Sequence, residues 1–343
     1  MTPVTASLAV DLTKVAPSER WAGFRAAAGP QFDVLCGELR NLFFRRDTLA
    51  GRAASTFARA MYAAVYRRYG RFVDESDYLA TQQSTRVLSE SEVALMQRQY
   101  SWAIVYYSTL GCTTTCVQTA GGWRMMRSLD WANRDIMAPA VIRIVYEGAG
   151  ADVQTAAIAG MIGVLTFSRP GLCGAINFAP TRRFADARVQ SDPLFCMRDL
   201  VEDSKAVTLR YAVDKVLQWR TSAPVFVTLC SPDGAATIEI AGGGARVREA
   251  SGGLLVQGNH YQCAEFSRYN RPQVKDSQEL LETSDARVRD CRAAFATAIG
   301  QDPELVRRSA LDAYDRDPVF NHETMYWTWS DPAAGSMEIW RYG

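Results

Sequence analysis

Apolar positions recur at three- and four-residue steps over roughly the first third of the chain and at alternate positions over much of the remainder, which predicts a helical first part and a β-rich second part. Phe32, Leu35, Leu39, Leu42 and Phe43, then Phe57, Met61, Val65 and Tyr66, mark helix between Trp21 and about Arg71. An alternating run at Ser7 to Leu12 precedes them as a strand, and Pro17 to Glu19 reads as a helix start. The sequence Ser89-Glu90-Ser91-Glu92 has the form of a capping box opening a helix through Val93, Leu95, Met96, Tyr100 and Ile104 toward Leu110. Beyond Cys112 the pattern predicts strands at 140–146, 156–167, 171–178, 225–229, 236–240, 254–258, 325–330 and 335–342. Helices are predicted over 193–205, 208–219, 276–299 and 302–314. Strand runs separated by blocks of helix imply sheets covered by helical layers, an α+β arrangement. No internal repeat or low-complexity linker divides the chain.

Composition narrows the function classes. The 343 residues are 48% hydrophobic and 22% charged, an ordinary globular balance, and the net charge of +1 does not favour nucleic acid as a partner. The longest apolar run, Ala156 to Phe167, is shorter than the roughly 20 residues of a membrane helix. Met1 to Lys14 lacks a basic start followed by an apolar block, so the chain reads as cytoplasmic, or as lysosomal or secreted if a signal has been removed. Eight cysteines are scattered without paired CxxC spacing, which indicates neither a zinc site nor a disulfide scaffold, and no metal or organic cofactor is implied. One segment departs from the neutral average. Between Arg40 and Arg71 eight arginines (40, 45, 46, 52, 59, 67, 68, 71) face the single acid Asp47. Such a basic amphipathic stretch suits peripheral contact with an anionic membrane or an acyl-chain substrate, and equally a solvated face packed on a core.

The chemistry concentrates at Gly111 to Trp131. Two β-prone runs flank the glycine pair Gly121-Gly122, so a hairpin returns Arg127 and Asp130 toward the start of its first strand, where Cys112 stands. With His260 and His322 as the only histidines, a nucleophilic cysteine has few bases to draw on. Cleavage of the Gly111–Cys112 bond would give Cys112 a free α-amine with an unperturbed pKa of about 8, so the nucleophile would carry its own base. Gly111 suits a scissile position because it tolerates a strained backbone. Cys116 competes as nucleophile but would own no amine. On the residues alone, Arg127 and Asp130 also read as a structural ion pair, and Asn259 as a turn residue after Gly258.

These residues resemble the N-terminal nucleophile (Ntn) cysteine amidases of the acid ceramidase and N-acylethanolamine acid amidase group, related to choloylglycine hydrolases and penicillin V acylases. That family's Cys-Thr-Ser start and the hairpin closing on Arg-Asn-x-Asp-Phe/Tyr are matched by Cys112-Thr113-Thr114 and Arg127-Ser128-Leu129-Asp130-Trp131, with serine and tryptophan as departures. Ile158 to Leu172, Gln257 to His260, Asn321 to Arg341 and Ala6 to Trp21 resemble further family segments in the same order. The resemblance implies a four-layer αββα Ntn-hydrolase sandwich preceded by a mostly helical N-terminal segment, with residues 1–111 as α subunit or propeptide and 112–343 as catalytic β subunit. The mature protein would then be an α/β heterodimer cut at Gly111–Cys112.

It also implies roles. Cys112 attacks a linear amide and forms a thioester, Arg127 and Asp130 hold its amine and thiol, and Asn259 donates to the oxyanion. Arg287 is the second active-site arginine, ahead of Arg289 and Arg268. Trp131, Asn177, Phe178 and His260 line the substrate. Where the family carries an acid after Asn177, this chain has Phe178-Ala179-Pro180, which points to a hydrophobic or lipid-like N-acyl amide rather than to ceramide or an N-acylethanolamine. Two other functions fit the same residues: an acyltransferase or condensing enzyme of small-molecule biosynthesis, and a non-catalytic relative that binds a hydrophobic ligand.

Overall fold

A computed structural model describes residues 1–67, 72–98, 111–131, 134–148, 150–180, 192–242, 244–270 and 277–343, with the side chain of Ser277 excepted. Arg68 and Arg71 of the basic stretch, the helical expectation through Tyr100, Ile104 and Leu110, and the helix start at Asp276 lie outside the described residues.

In chain order the strands are β1 (Thr2–Pro3), β2 (Ser7–Asp11), β3 (Gly111–Thr119), β4 (Gly122–Asp130), β5 (Val141–Glu147), β6 (Val153–Ile158), β7 (Thr166–Arg169) and β8 (Leu172–Phe178). They continue as β9 (Val225–Ser231), β10 (Gly234–Ala241), β11 (Gly244–Glu249), β12 (Leu254–Gln257), β13 (Thr324–Asp331) and β14 (Ser336–Arg341). The longer helices are α1 (Phe24–Phe43), α2 (Leu49–Met61), α3 (Val73–Thr81), α4 (Glu90–Met96), α5 (Pro193–Glu202), α6 (Leu209–Leu217), α7 (Ser277–Ala296) and α8 (Pro303–Tyr314). One sheet has six strands in the order β1-β14-β13-β4-β3-β12, the other eight in the order β11-β10-β9-β8-β7-β6-β5-β2. Helices α7 and α8 pack on β12, β3 and β4, whereas α1, α5 and α6 pack on the larger sheet. The result is the expected αββα sandwich.

Strand alternation explains the layers. Cys116, Trp123, Met125 and Leu255 of the smaller sheet meet Cys173, Ala175, Cys230 and Ala235 of the larger one in an apolar cluster. The opposite face of the smaller sheet, through Val117, Met126, Val256, Trp327 and Trp329, packs on Val288, Phe295, Val306 and Tyr314 of the two covering helices. Hairpin β3–β4 turns over Ala120-Gly121 with Thr119 opposite Gly122, whose φ of +94° is open to glycine without strain.

The N-terminal segment supplies more than helices. β1 pairs with β14 and β2 runs parallel to β5, so residues before Gly111 form one edge of each sheet. Buried Glu75 of α3 accepts from Trp21 Nε1 at 2.7 Å and pairs with Arg20 at 2.5 Å and Arg198 of α5 at 3.7 Å, which ties that segment to the rest.

Three expectations need correction. The single strand expected over 156–167 is two, β6 and β7, because Gly160 (φ +79°) turns the chain where a Cβ would strike the Phe32 ring. β11 was not anticipated, since in this exposed edge strand only Ala245 and Val247 alternate with Arg246 and Arg248, too short an apolar run to mark it. α3 was missed because its buried face includes Glu75 and Ser76, whose polar character hides the helical period.

Candidate active site

Residue Cys112 is held at three of its atoms. Its backbone N–H donates to Asn259 Oδ1 at 2.9 Å, its carbonyl accepts from Arg287 Nη1 at 2.7 Å, and its Sγ accepts from Arg127 Nη2 at 3.6 Å. The side chain is fully buried between the sheets, on the same face of β3 as Thr114 and Cys116. Burial pushes the thiol up, while the Arg127 charge and a backbone hydrogen bond from Phe178 act in the other direction; the net direction is up. The thiol therefore rests neutral, and its activation requires a base.

Arg127 is fixed across the sandwich. Opposite Thr114 in the hairpin, it donates from Nη1 to Thr166 Oγ1 at 2.8 Å and to Tyr326 Oη at 2.5 Å, and from Nη2 to Ile176 O at 2.9 Å. Its guanidinium thus reaches both sheets, which aims one N–H at the sulfur.

Asp130 lies on the other face of β4, beside Gly111, its register partner. Oδ1 accepts from Thr324 Oγ1 at 2.8 Å, Oδ2 from Asn321 Nδ2 at 3.3 Å, and Arg287 Nη1 stands 3.7 Å from Oδ2. Burial raises its pKa against the opposing effects of Arg287 and these hydrogen bonds. A Cβ on Gly111 would fall 2.5 Å from Asp130 Oδ2. Glycine is needed there for close approach, a reason the sequence reading did not contain.

Arg287 is the arginine of α7 that reaches the site. Besides the Cys112 carbonyl it donates to Thr113 Oγ1 at 2.8 Å and to Asn259 Oδ1 at 2.8 Å. Arg289 is exposed on the same helix, and Arg268 is exposed and donates to Tyr269.

The structure places Asn259 against the nitrogen of Cys112. Its Oδ1 accepts from the Cys112 nitrogen and Arg287, while its Nδ2 donates to Phe178 O at 2.8 Å. The side-chain amide of Asn177 is likewise engaged: Oδ1 accepts from Thr114 Oγ1 at 2.7 Å and Nδ2 donates to Gln257 O at 3.0 Å, so it ties the two sheets rather than facing a ligand. Phe178 offers its backbone to the site, its ring belonging to the buried core. His260 is half-buried, with Nδ1 2.8 Å from Ser284 Oγ, and burial lowers its pKa. Ser284 Oγ in turn accepts from Asn259 N at 2.6 Å, so His260 braces the site through two intermediaries. Trp131 is half-buried and its N–H donates to Glu323 O.

Tyr326, Thr324, Asn321 and Ser284 were not singled out individually from the sequence. Thr324 and Tyr326 alternate along β13 opposite Asp130 and Leu129, a placement that only strand register reveals. Among the described residues no cluster of three or more His, Cys, Asp or Glu side chains could hold a metal ion. Among them also, no helix is long and apolar enough to cross a membrane.

No protein-family model matches the chain, and no curated protein sequence matches it. Among solved structures, it is similar to the Caenorhabditis elegans ortholog of N-acylethanolamine-hydrolyzing acid amidase, at 18% identity and a TM-score of 0.51, covering 68% of this chain and 100% of that one. Two mutant forms of the conjugated bile acid hydrolase from Clostridium perfringens also align. Each is 10% identical and covers 68% of this chain and 97% of its own, with TM-scores of 0.40 and 0.36. The likeness to the nematode protein shows the Ntn-hydrolase fold.

Proposed function

We propose that this chain is an Ntn cysteine amidase that cuts itself between Gly111 and Cys112 and then hydrolyses a linear amide bearing a hydrophobic acyl group. The observation that carries the reading is the three-point anchoring of Cys112, since an ordinary core cysteine has no use for one buried guanidinium at its sulfur and another, with an asparagine, at its backbone. In the cutting step the Cys112 thiol adds to the Gly111 carbonyl carbon, and the C–N bond breaks as the amide nitrogen takes a proton. Water then hydrolyses the resulting thioester, leaving a carboxylate on Gly111 and a free α-amine on Cys112.

The mature residue has what catalysis needs. Its amine, of a type whose unperturbed pKa is about 8, takes the thiol proton as sulfur attacks the substrate carbonyl. Asn259 Oδ1, already 2.9 Å from that nitrogen, holds the amine in place. Arg127 stabilises the thiolate, and Arg287 keeps Asn259 and the Cys112 carbonyl fixed while balancing Asp130. The thiol is wholly buried in the uncut chain, so substrate entry requires a rearrangement around it. The nematode protein's fold agrees with this reading.

Intact-mass measurement and N-terminal sequencing after incubation at mildly acidic and neutral pH test the proposal. A new terminus at Cys112, together with release of fatty acid from an N-acyl amide, is expected. Persistence of a single 38.0 kDa chain without turnover would overturn it.

A further inference from the structure

The amidase reading leaves unused the arginines of the helical segment, and these carry an inference independent of it. Among the described residues, the one ion pair formed by the arginines from Arg40 to Arg67 is Arg45 with Asp47. Arg46 from the link after α1, Arg59 from α2 and Arg86 from the link after α3 converge on one cleft of about 390 Å³. Among the described residues Glu90 is the only acid on its wall and forms no ion pair with them, so the described lining carries a formal excess of two positive charges. Tyr62 on the same wall already donates to Asp77 at 2.6 Å and Arg59 Nη2 to Thr56 Oγ1 at 3.4 Å, which leaves the other guanidinium N–H groups as donors for a ligand. Arg86 is held at φ +45°, one of two described non-glycine residues with positive φ, a conformation that costs energy and persists where the surroundings require it.

Like charges brought together from three separate elements repel unless an anion joins them. Planar guanidinium forks match phosphate oxygens, each capable of two parallel hydrogen bonds. A second hollow of about 430 Å³, lined by Arg40, Asn41, Arg45, Arg46 and Asp47, shares Arg46 with the first. Leu49 beside them is 78% exposed and Leu42 45%, apolar surface of the kind that accompanies lipid contact. With a net charge of only +1 on the whole chain, a general attraction for anions does not account for such a local excess.

We propose that the Arg46–Arg59–Arg86 cleft binds a phosphomonoester dianion, carried by a soluble phosphate compound or by the headgroup of an anionic lipid. Calorimetric titration of the full chain with phenyl phosphate, and co-sedimentation with phosphatidylcholine vesicles with and without phosphatidic acid, test it. One saturable site is expected in at least one arm, weakened three-fold or more by each of Arg46→Gln, Arg59→Gln and Arg86→Gln and at least thirty-fold by the three together. Arg308→Gln, on the distant helix α8, should leave it unchanged. Circular dichroism verifies that each variant folds, and self-cleavage at Cys112 is followed separately, so that failure of either proposal is told apart. Binding of phenyl phosphate alone assigns a soluble ligand, whereas binding that appears only with phosphatidic acid assigns the lipid. Absence of saturable binding in both arms, or binding that the triple variant retains, overturns the proposal.

Discussion

The two ends of β3 present the same residue type to the same inter-sheet space and treat it differently. Cys112 and Cys116 both point between the sheets, both are fully buried, and burial raises the pKa of both thiols. Around Cys116 stand Cys173, Cys230, Met125 and Leu255, and its hydrogen bond with Cys230 pushes its pKa higher still. Around Cys112, Arg127 and a backbone donor of Phe178 oppose the effect of burial, and Arg287 and Asn259 grip the backbone. Burial alone makes a cysteine inert; fixed donors and positive charge around it make a buried thiol a candidate nucleophile. The difference lies in the neighbours, four residues apart on one strand.

The sharpest way to break this comparison is to exchange the two thiols for methyl groups. Cys112→Ala should abolish self-cleavage and lower amide turnover by a thousand-fold or more, whereas Cys116→Ala should cleave and turn over within several-fold of the parent, as gel analysis and product assay will read. Arg287→Gln comes next. Losing the cation that serves the Cys112 carbonyl, Thr113 and Asn259 leaves Asp130 buried without its compensating charge, and should cost about 3–5 kcal/mol in urea unfolding. Gly111→Ala should cost about 1–3 kcal/mol and slow cleavage, because its Cβ would displace the Asp130 carboxylate.

The smallest effect is that of pH. Burial raises the folded-state pKa of Asp130 and of Glu239, so folding retains their protons longer than the unfolded chain does. Their contribution is complete below the unfolded carboxyl value of about 4 and is lost as pH rises through the folded values. The urea midpoint of the uncleaved protein should therefore fall as pH rises above about 4, and Asp130→Asn should flatten the fall. His260, whose pKa burial lowers, acts oppositely, withdrawing stability as pH drops below about 6.5.

Periodicity made most of the fold legible in advance. β3, β4, β8, β9, β10, β12, β13 and β14 follow alternating or apolar runs, and α5 to α8 follow helical ones. The capping box at Ser89 forms as expected, with Glu92 Oε2 accepting from Ser89 N at 2.8 Å. What escaped was local structure with too little apolar rhythm, namely the edge strand β11 and the polar-faced α3. The candidate site was legible as residue types and order: Cys112, Arg127, Asp130, Asn259 and Arg287 come together in space. Their functions were less so. Asn177 and Asn259 are engaged with both backbone and side-chain partners, because an amide that is both donor and acceptor is committed by whichever partners packing supplies.

By itself, then, the sequence determined that one cysteine follows a glycine at the head of a hairpin that returns an arginine and an aspartate to it, since strand period and turn length are local properties of the chain. Only the tertiary structure decided that Arg287 rather than Arg289 or Arg268 reaches that cysteine. Which side of α7 meets the sheet depends on the packing of residues more than 170 positions apart in the chain, as the Arg287 contact to the Cys112 carbonyl shows. The same holds for the partners of Asp130, which come from β13 and the turn before it, brought alongside β4 by sheet register rather than by sequence spacing.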